Sequence, residues 1–477
     1  MPNPRFSLRI AALIVFLSLG FMPLANARLY DVGAARVDIT PDFSLRLMGY
    51  ATRKGETAEV AQPLWVKALA IAGKPGEPFL LLTVDVCAIP AAVREEVLRR
   101  LAPRGMTSER FAVSFSHTHS GPCIEGAVPN MFAEDIPAEE QARISRYTAG
   151  LVDKLERAGI DALAAMQPAR LEWGTGKAHF AGNRRQDDGL VDHDVPVLAV
   201  KTPGGKIRAV LASYACHATT FGSAIKAFHG DWPGVAQETI ERDNPGAIAL
   251  IAIGCGAESN PTPRGSLALV EKYGQELATE VGRLLAARLR PISGDPVGRT
   301  KSIDLAFDRL PTRAEWNEKA KSTQSGESYH ARRNLARLDR GETLPTSLSY
   351  LVQTWTFGDD LAMVFLPGEV VADYSLRLKE ELDFERVWIN AYTNATPAYI
   401  PSRRVIDLGG YEGAGAMLYY DHPARFAAAI EEQIVGTVRA LVPASFLASA
   451  RKGSSLRPTT AEEARGYHTV KPAWHRR

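Results

Sequence analysis

The chain has 477 residues, enough for two to four domains or for one large α/β unit with insertions. Hydrophobic residues make up 45% of the chain and charged residues 23%, with 39 glycines and 30 prolines, which argues against a disordered, collagen-like, coiled-coil or multi-span membrane protein. Because 56 lysines and arginines nearly balance 54 acidic residues, the formal charge is only +2, and we expect no nucleic-acid partner.

The first 27 residues have the layout of a secretory signal peptide. Two arginines precede an apolar run at 10–22, and a small-x-small cleavage site that ends at Ala27 follows. The apolar run is shorter than the ~20 residues that cross a bilayer. We therefore expect cleavage after Ala27, a periplasmic or secreted protein, and no transmembrane anchor in the mature chain.

Four cysteines occur in the chain, at positions 87, 123, 216 and 255. None lies in a C-x-x-C pair, which disfavours a zinc ribbon or a thioredoxin-like site. We expect these cysteines to be buried like small hydrophobic residues, with room for one disulfide among them. The sequence leaves the pairing of that disulfide open.

Short apolar and β-branched runs alternate along the chain with longer segments of helical periodicity. This alternation is typical of an α/β fold, a layered domain in which helices pack on a mixed sheet. We predict strands at 79–86, 110–115, 207–215, 247–253, 361–366 and 387–392. We predict helices at 91–101, 138–166, 233–242, 270–289, 314–321, 370–382 and 423–441.

Two polar segments stand apart from this pattern. The segment 312–347 is predicted to be a helical surface insertion or lid. The segment 448–477 is predicted to be a basic tail, and its charge is the only local hint of an anionic partner. We therefore expect one main domain at 28–447.

Polar side chains that suit catalysis or metal binding follow four of the predicted strands. His117 and His119 follow the strand at 110–115, and because alternate residues of an extended chain point the same way, their imidazoles should emerge together. Three further strands are followed by one such side chain each: His217, Glu369 and Tyr399. Because sites in open α/β sheets form beyond the carboxyl ends of the strands, we expect these groups to meet at one edge.

Two histidines and one glutamate suit Zn²⁺ with a position left open for water. Each side chain also has a structural interpretation, the histidines as hydrogen-bonded core residues and Glu369 as an acidic residue in the first turn of a helix. Asp231, in the segment 228–234, admits three roles: an N-cap, a partner of a ligating histidine, or a reactive carboxylate.

The order and spacing of these residues resemble the N-terminal catalytic domain of the neutral/alkaline non-lysosomal ceramidases. The resemblance runs from about residue 32 to residue 441 and rests on the segments 32–40, 48–50, 116–122, 183–185, 216–217, 230–231, 367–369 and 410–413. Members of that family are secreted zinc amidases that cleave the N-acyl bond of ceramide. The resemblance implies a zinc-dependent hydrolase of a linear amide, with one Zn²⁺ per chain and a small-molecule or lipid-like N-acyl amide as substrate.

The resemblance also implies roles for individual residues. The implied zinc ligands are His117, His217, Glu369 and Tyr399. The implied catalytic residues are His119, His229, Arg184 and Tyr411, and the implied substrate-binding residues are Gly49, through its backbone, and Asp231. Tyr399 is preferred to Tyr392 as a ligand because it lies twelve residues before Tyr411, the separation that the family keeps. His119 would move the proton, and Arg184 and Tyr411 would stabilise the oxyanion.

Two features depart from the family pattern. Ceramidases have a serine immediately before the Gly-Asp pair, whereas this chain has His229, which could take over proton transfer and would reshape the pocket. We therefore expect a substrate other than ceramide. Ceramidases also carry an immunoglobulin-like domain after the catalytic domain, where we expect only the basic tail.

Two alternatives to an amidase stay open. One is a metallo-esterase or other acyl hydrolase, because the same kind of site attacks any carbonyl. The other is a non-catalytic exported binding protein with a degenerate site, which the replacement at position 229 favours. The sequence leaves the oligomeric state open.

Overall fold

The computed structural model describes residues 28–448. The predicted signal peptide and the predicted tail from residue 449 onward lie outside the described residues. Within 28–448, no helix is both long enough and apolar enough to cross a membrane.

The described residues form strands and helices that alternate along the chain. The strands are β1 (Tyr30–Asp38), β2 (Leu45–Arg46), β3 (Glu56–Thr57), β4 (Trp65–Ala72), β5 (Phe79–Val84), β6 (Phe111–Phe115), β7 (Gln167–Lys177), β8 (Ala181–Asn183), β9 (Asp194–Lys201), β10 (Ile207–Tyr214), β11 (Ile248–Ile253), β12 (Ser259–Pro261), β13 (Arg290–Pro291), β14 (Pro296–Ala306), β15 (Ser347–Phe357), β16 (Leu361–Phe365), β17 (Glu369–Val370), β18 (Val387–Asn390) and β19 (Tyr399–Ile400). The helices are α1 (Ala91–Leu101), α2 (Ala138–Ala164), α3 (Asp231–Asp243), α4 (Leu267–Ala286), α5 (Arg313–Lys319), α6 (Ser325–Asp339), α7 (Ala372–Glu381), α8 (Arg403–Leu408), α9 (Gly410–Gly413) and α10 (Ile430–Leu441).

The largest sheet is mixed and has the strand order β11-β10-β9-β7-β1-β4-β5-β6, with β13 added beside β7. The pairs β5–β6 and β10–β11 are parallel, and the other neighbours are antiparallel. The sheet curls, so that β11 at one end lies against β4, β5 and β6 at the other. Curling brings the carboxyl ends of β6 and β10 together although five strands separate them in the sheet order.

A second sheet has the order β14-β15-β16-β18, with β16 and β18 parallel. Beyond the ends of these two parallel strands, the short strands β17 and β19 pair in parallel, so that Glu369 lies opposite Tyr399. The backbone pairing of β17 and β19 therefore places Glu369 and Tyr399 side by side.

Helices cover the large sheet through close contacts. The amphipathic helix α2 buries Ile144, Leu151 and Leu155 and packs on β1 and β4. A side chain at Gly33 of β1 would lie only 1.9 Å from a backbone oxygen of the helix, so this crossing requires glycine.

The predicted α/β class is confirmed, and all six predicted strands are present. The predicted helix at 423–441 is wrong in its first turns, because α10 begins at Ile430 and residues 423–429 are irregular chain with one isolated bridge, between Phe426 and Phe307. The predicted insertion contains α5 and α6, which lie between β14 and β15. All four cysteines are buried and free.

Several long strands were not predicted: β1, β4, β7, β9, β14 and β15. Charged residues interrupt the apolar pattern of β1, β4, β7 and β14. Lys67 of β4, for example, is buried only because its ammonium lies 2.6 Å from Glu241 on α3, a partner that the local sequence does not reveal.

Candidate metal centre

The curled sheet brings the two histidine loops into direct contact. His117 follows β6 and His217 follows β10, and their neighbours Thr118 and Ala218 form a parallel β-bridge. The backbone N–H of His119 donates to the oxygen of Ala218 at 3.1 Å. The side chains at 117 and 217 therefore share one small region.

Glu369 completes a compact group of donor atoms with these histidines. Its Oε2 lies 3.3 Å from Nε2 of His117 and 3.1 Å from Nε2 of His217. The hydroxyl of Tyr399 lies 3.5 Å from the same atom of His217. A tetrahedral metal with bonds of 2.0–2.1 Å would hold its ligand atoms about 3.3 Å apart, so these separations fit a Zn²⁺-sized cation.

The second nitrogen of each ligating imidazole is tied to the backbone. Nδ1 of His117 donates to the oxygen of Cys87 at 2.7 Å, and Nδ1 of His217 donates to the oxygen of Gly256 at 2.8 Å. These bonds assign the proton to Nδ1 and leave the Nε2 lone pairs free for a metal. The hydrogen-bonded core interpretation and the metal interpretation are thus compatible, because each histidine uses one nitrogen for each role.

The backbone reason that we gave for the pairing of His117 and His119 is wrong. The chain is not extended there, because His117 has a φ of 54°, in the left-handed region. The two rings still meet, edge to face, with centroids 4.7 Å apart and Nε2 atoms 3.1 Å apart. A turn, rather than an extended strand, brings the imidazoles together.

His119 fits closely against a glycine. A Cβ on Gly49 would lie 2.4 Å from the ring of His119, and Gly49 has a φ of 108°. The Nδ1 of His119 is buried and has no hydrogen-bond partner among residues 28–448. The loop at position 49 therefore requires glycine. Nδ1 of His119 is left without a partner and is available to take part in proton transfer.

The structure distinguishes between the two candidate tyrosines. The hydroxyl of Tyr399 approaches His217, whereas the hydroxyl of Tyr392 is buried and finds no hydrogen-bond partner in the described chain. The ring of Tyr392 instead packs on His117, with centroids 4.5 Å apart. Tyr399 is the better placed donor.

Tyr420 is a site residue that sequence reasoning missed. Its hydroxyl donates to Oε1 of Glu369, the oxygen that does not face the two histidines. This bond orients the carboxylate for its other contacts. No local pattern marks Tyr420, which falls between the recognised segment 410–413 and the predicted helix at 423–441.

Arg184 contacts the cluster through Tyr399. Its guanidinium donates to the hydroxyl of Tyr399 at 3.1 Å and to Glu412 at 2.8 Å, and Arg185 also binds that carboxylate. Glu412 is the second residue that sequence reasoning missed, although it lies in a recognised segment. The ring of Tyr411 packs edge to face on Tyr399, with centroids 5.2 Å apart.

His229 and Asp231 lie in a buried turn that adjoins the histidine loop, since the hydroxyl of Thr118 donates to the backbone oxygen of His229 at 2.6 Å. Nδ1 of His229 accepts the backbone N–H of Asp231 at 2.8 Å, and its ring stacks on Phe221. The carboxylate of Asp231 accepts the N–H groups of Phe221 and Trp232. Gly230, and not Asp231, is the N-cap of α3, so the N-cap role proposed for Asp231 is wrong.

Burial lowers the pKa of three of the site histidines, whereas at His117 burial is outweighed by Cys87 and Glu369, which raise its pKa to about 10. Burial, reinforced by Arg184, lowers the pKa of His217 to about 4, and burial lowers the pKa of His229 to about 4. Burial also lowers the pKa of His119 well below its usual range. Burial opposes ionisation of Glu369 as well, but His117 and His217 outweigh it and hold the pKa of this carboxyl well below its usual range.

A narrow cavity of about 30 Å³ adjoins the donor atoms, room for about one water molecule. Its polar wall contains His117, His119, Glu369 and Tyr399, and the remaining lining residues are Gly49, Cys87, Ala88, Val128, Met131, Tyr411, Tyr419 and Tyr420. Among the residues that the structure describes, Arg184, His229 and Asp231 are not part of this lining. The cavity therefore collects some of the predicted site residues and not others.

Comparisons of the sequence and of the structure with known proteins both find similarity to ceramidases. The family model described as neutral/alkaline non-lysosomal ceramidase, N-terminal, matches residues 30–253. A neutral ceramidase of Pseudomonas aeruginosa is 26% identical over 338 residues, which cover 64% of this chain and 49% of that protein. The chain thus matches about half the length of this curated relative.

Two solved structures have the same fold. The crystal structure of the neutral ceramidase from Pseudomonas aeruginosa superposes with a TM-score of 0.68 at 20% identity, over 88% of this chain and 76% of the other. A ceramidase complexed with C2 superposes with a TM-score of 0.69 at 19% identity, over 87% and 76% of the two chains. The family match and the shared fold agree: residues 30–253 are similar to the N-terminal domain of the neutral/alkaline non-lysosomal ceramidases, and the chain has the fold of the two solved ceramidases.

Proposed function

We propose that this protein is an exported, metal-dependent hydrolase that cleaves an N-acyl amide bond in a substrate other than ceramide. Its cofactor would be one Zn²⁺ per chain, held by His117, His217, Glu369 and Tyr399. The observation that carries this proposal is the set of donor atoms 3.1–3.5 Å apart around Nε2 of His217 and Oε2 of Glu369, the edge lengths of a zinc-sized tetrahedron.

The donor set determines what a bound cation would contribute. A divalent cation held by two imidazoles, a carboxylate and a phenol supplies Lewis acidity to a substrate carbonyl. Arg184 orients Tyr399, and Tyr420 orients Glu369, so both oxygen donors are held by a second side chain.

His119 is the residue placed to move a proton. It lines the cavity beside the donor atoms, its low pKa keeps it neutral near pH 7, and its Nδ1 is unoccupied. A neutral imidazole can accept a proton during attack and return it to the leaving amine. Tyr411, also in the cavity wall, carries the hydroxyl best placed to donate to a developing oxyanion.

A role for His229 in proton transfer has less support, because its Nδ1 is already engaged with the backbone of Asp231. Its ring instead fills the turn at which ceramidases carry a serine. Together with the small cavity volume, this replacement favours a substrate other than ceramide.

The proposal is tested by metal analysis and amide hydrolysis on the same preparation. We expect about one zinc per chain by mass spectrometry, turnover of at least one N-acyl amide in a panel that includes ceramide, and loss of that turnover on chelation with recovery on adding Zn²⁺. Ester analogues with the same acyl groups measure the competing esterase activity.

His217→Ala should abolish both zinc content and turnover. His179→Ala is the matched control, because this histidine is exposed, and its ring contacts His193. Stoichiometric zinc without turnover of any amide or ester would instead favour the binding-protein alternative. Full zinc and full activity in His217→Ala would refute the ligand assignment.

A further inference from the structure

Two chain segments close over the cavity from outside the donor cluster. Val128 and Met131 belong to the segment 124–136, and Tyr419 and Tyr420 belong to the segment 415–422. We call these the first and the second roof segment. Neither contains a donor atom of the metal-binding set, although Tyr420 of the second segment hydrogen-bonds to Glu369.

One side chain joins the two roof segments. The Nδ2 group of Asn130 donates to the oxygen of Leu418 at 2.8 Å and to the carboxylate of Asp421 at 3.1 Å. Its backbone N–H also donates to the oxygen of Tyr419 at 3.0 Å. Asn130 is 1% exposed, so water does not compete for these three bonds.

The roof is held in a backbone conformation that it would not adopt freely. Val128 has a φ of 43°, and Asp421 has a φ of 62°. A β-branched residue in the left-handed region is strained and persists only where surrounding contacts enforce it. The hydrogen bonds of Asn130 help to hold the roof segments in this conformation.

Helix α6 clamps both roof segments from outside. Tyr329 donates to Asp135 of the first segment at 2.8 Å, and Arg333 and Arg337 both bind Asp421 of the second. Because the second segment carries Tyr419 and Tyr420, a clamp on Asp421 also fixes the cavity wall.

The closed roof limits the size of what can enter. The cavity holds about one water molecule, and it is partly exposed at Tyr411, whose ring packs on Tyr399, so an entering acyl group must be small. A long acyl chain would require the roof segments to separate and the buried bonds of Asn130 to break.

We propose that Asn130 is a specificity-determining residue, which ties the roof segments together and restricts the enzyme to amides with compact acyl groups. This inference rests on the proposed function, and it names the substrate class of the same site. Asn130 acts as a positioning residue, because it reaches the cavity only through its neighbours.

The test measures binding as well as turnover. Acyl hydroxamates carry a metal-chelating head on an acyl chain of chosen length, so their affinity for the zinc-loaded protein reports chain tolerance even without turnover. By calorimetry, we expect acetohydroxamate to bind at least about tenfold more tightly than octanoylhydroxamate, a difference of about 1.4 kcal/mol. Acetyl and octanoyl anilides should show the same order in kcat/KM.

Asn130→Ala should reduce this discrimination by about tenfold, chiefly by improving the binding of the octanoyl compound. Met131→Ala widens the cavity without removing the hydrogen bonds of Asn130. It should reduce the discrimination in the same way, and it provides the test if Asn130→Ala does not fold. Asn390→Ala, a buried asparagine in β18, is the matched control and should leave the ratio unchanged.

The outcomes separate the two proposals. Octanoylhydroxamate binding as tightly as acetohydroxamate in the wild type, or a ratio that neither roof variant changes, would refute the specificity inference while leaving the amidase intact. Tight and selective binding of short hydroxamates without turnover of any amide would support the roof and refute the proposed reaction.

Discussion

The indole N–H of Trp232 donates to the backbone oxygen of His217 at 3.0 Å. Trp232 is fully buried in the first turn of α3, and its bond fixes the loop that presents one candidate metal ligand. The helix after the Gly-Asp pair thus supports the site without entering it.

Replacing Trp232 with phenylalanine should loosen the His217 loop. The variant loses one buried hydrogen bond, so we expect a loss of about 1–3 kcal/mol in the free energy of unfolding and a weaker affinity for Zn²⁺. Trp388→Phe is the control, because that indole is equally buried but bonds to Ser213 in the sheet. Equal zinc affinity in the two variants would show that Trp232 does not position the ligand.

Gly49→Ala should abolish activity. The new methyl group would lie 2.4 Å from the ring of His119, and the backbone would also keep a φ of 108° that alanine disfavours. Gly55→Ala separates these effects, since Gly55 also has a positive φ but no atom within 4 Å of the added Cβ. We expect Gly55→Ala to cost only about 1 kcal/mol in stability and to retain turnover. Comparable turnover in both variants would contradict the close fit at His119.

Tyr411→Phe should lower kcat by about 10²–10³ while leaving the zinc content unchanged, since one oxyanion donor is removed and no ligand is lost. Tyr399→Phe should lower both, because its hydroxyl belongs to the donor set. Tyr273→Phe, whose hydroxyl binds Pro263 outside the site, serves as the control. If Tyr411→Phe lost zinc and Tyr399→Phe kept it, the two tyrosine roles would be exchanged.

Glu258 should give the protein a distinctive pH dependence. Burial raises the pKa of this carboxyl to about 8, with its oxygens accepting the N–H of Ala372. Between the ordinary glutamate pKa of about 4.3 and pH 8, the unfolded chain loses this proton and the folded protein keeps it. The free energy of unfolding should therefore fall as pH rises, by up to about 1.4 kcal/mol per pH unit from this group, and level off above pH 8.

Urea unfolding across this pH range checks the assignment. Glu258→Gln should remove the decline, whereas Glu238→Gln, the same change at an exposed position of α3, should retain it. Identical pH profiles for the wild type and Glu258→Gln would show that this carboxyl does not stay protonated in the folded protein.

The sequence predicts the parts of this protein that local pattern determines. Buried parallel strands such as β10 and β11 are continuous apolar runs, and the polar residues after their carboxyl ends follow from that placement. The family resemblance implies His117, His217, Glu369 and Tyr399 as ligands, and the structure brings all four together.

The remaining features depend on contacts between distant segments. The curl of the large sheet, which joins the ends of β6 and β10, is a property of all eight strands in its path and not of either histidine motif. Tyr420 and Glu412 act through partners 51 and 228 residues away, Glu369 and Arg184, so no spacing rule reveals them. The stacking of His229 on Phe221 is likewise a contact that no local pattern reveals.

The most direct test of the account is anomalous diffraction from a crystal of the zinc-loaded protein, recorded on both sides of the zinc absorption edge. We expect one strong peak per chain, about 2.0–2.3 Å from Nε2 of His117, Nε2 of His217 and Oε2 of Glu369, with the hydroxyl of Tyr399 in the same shell. Zinc bound elsewhere on the chain, with this cluster left without a peak, would contradict the central claim.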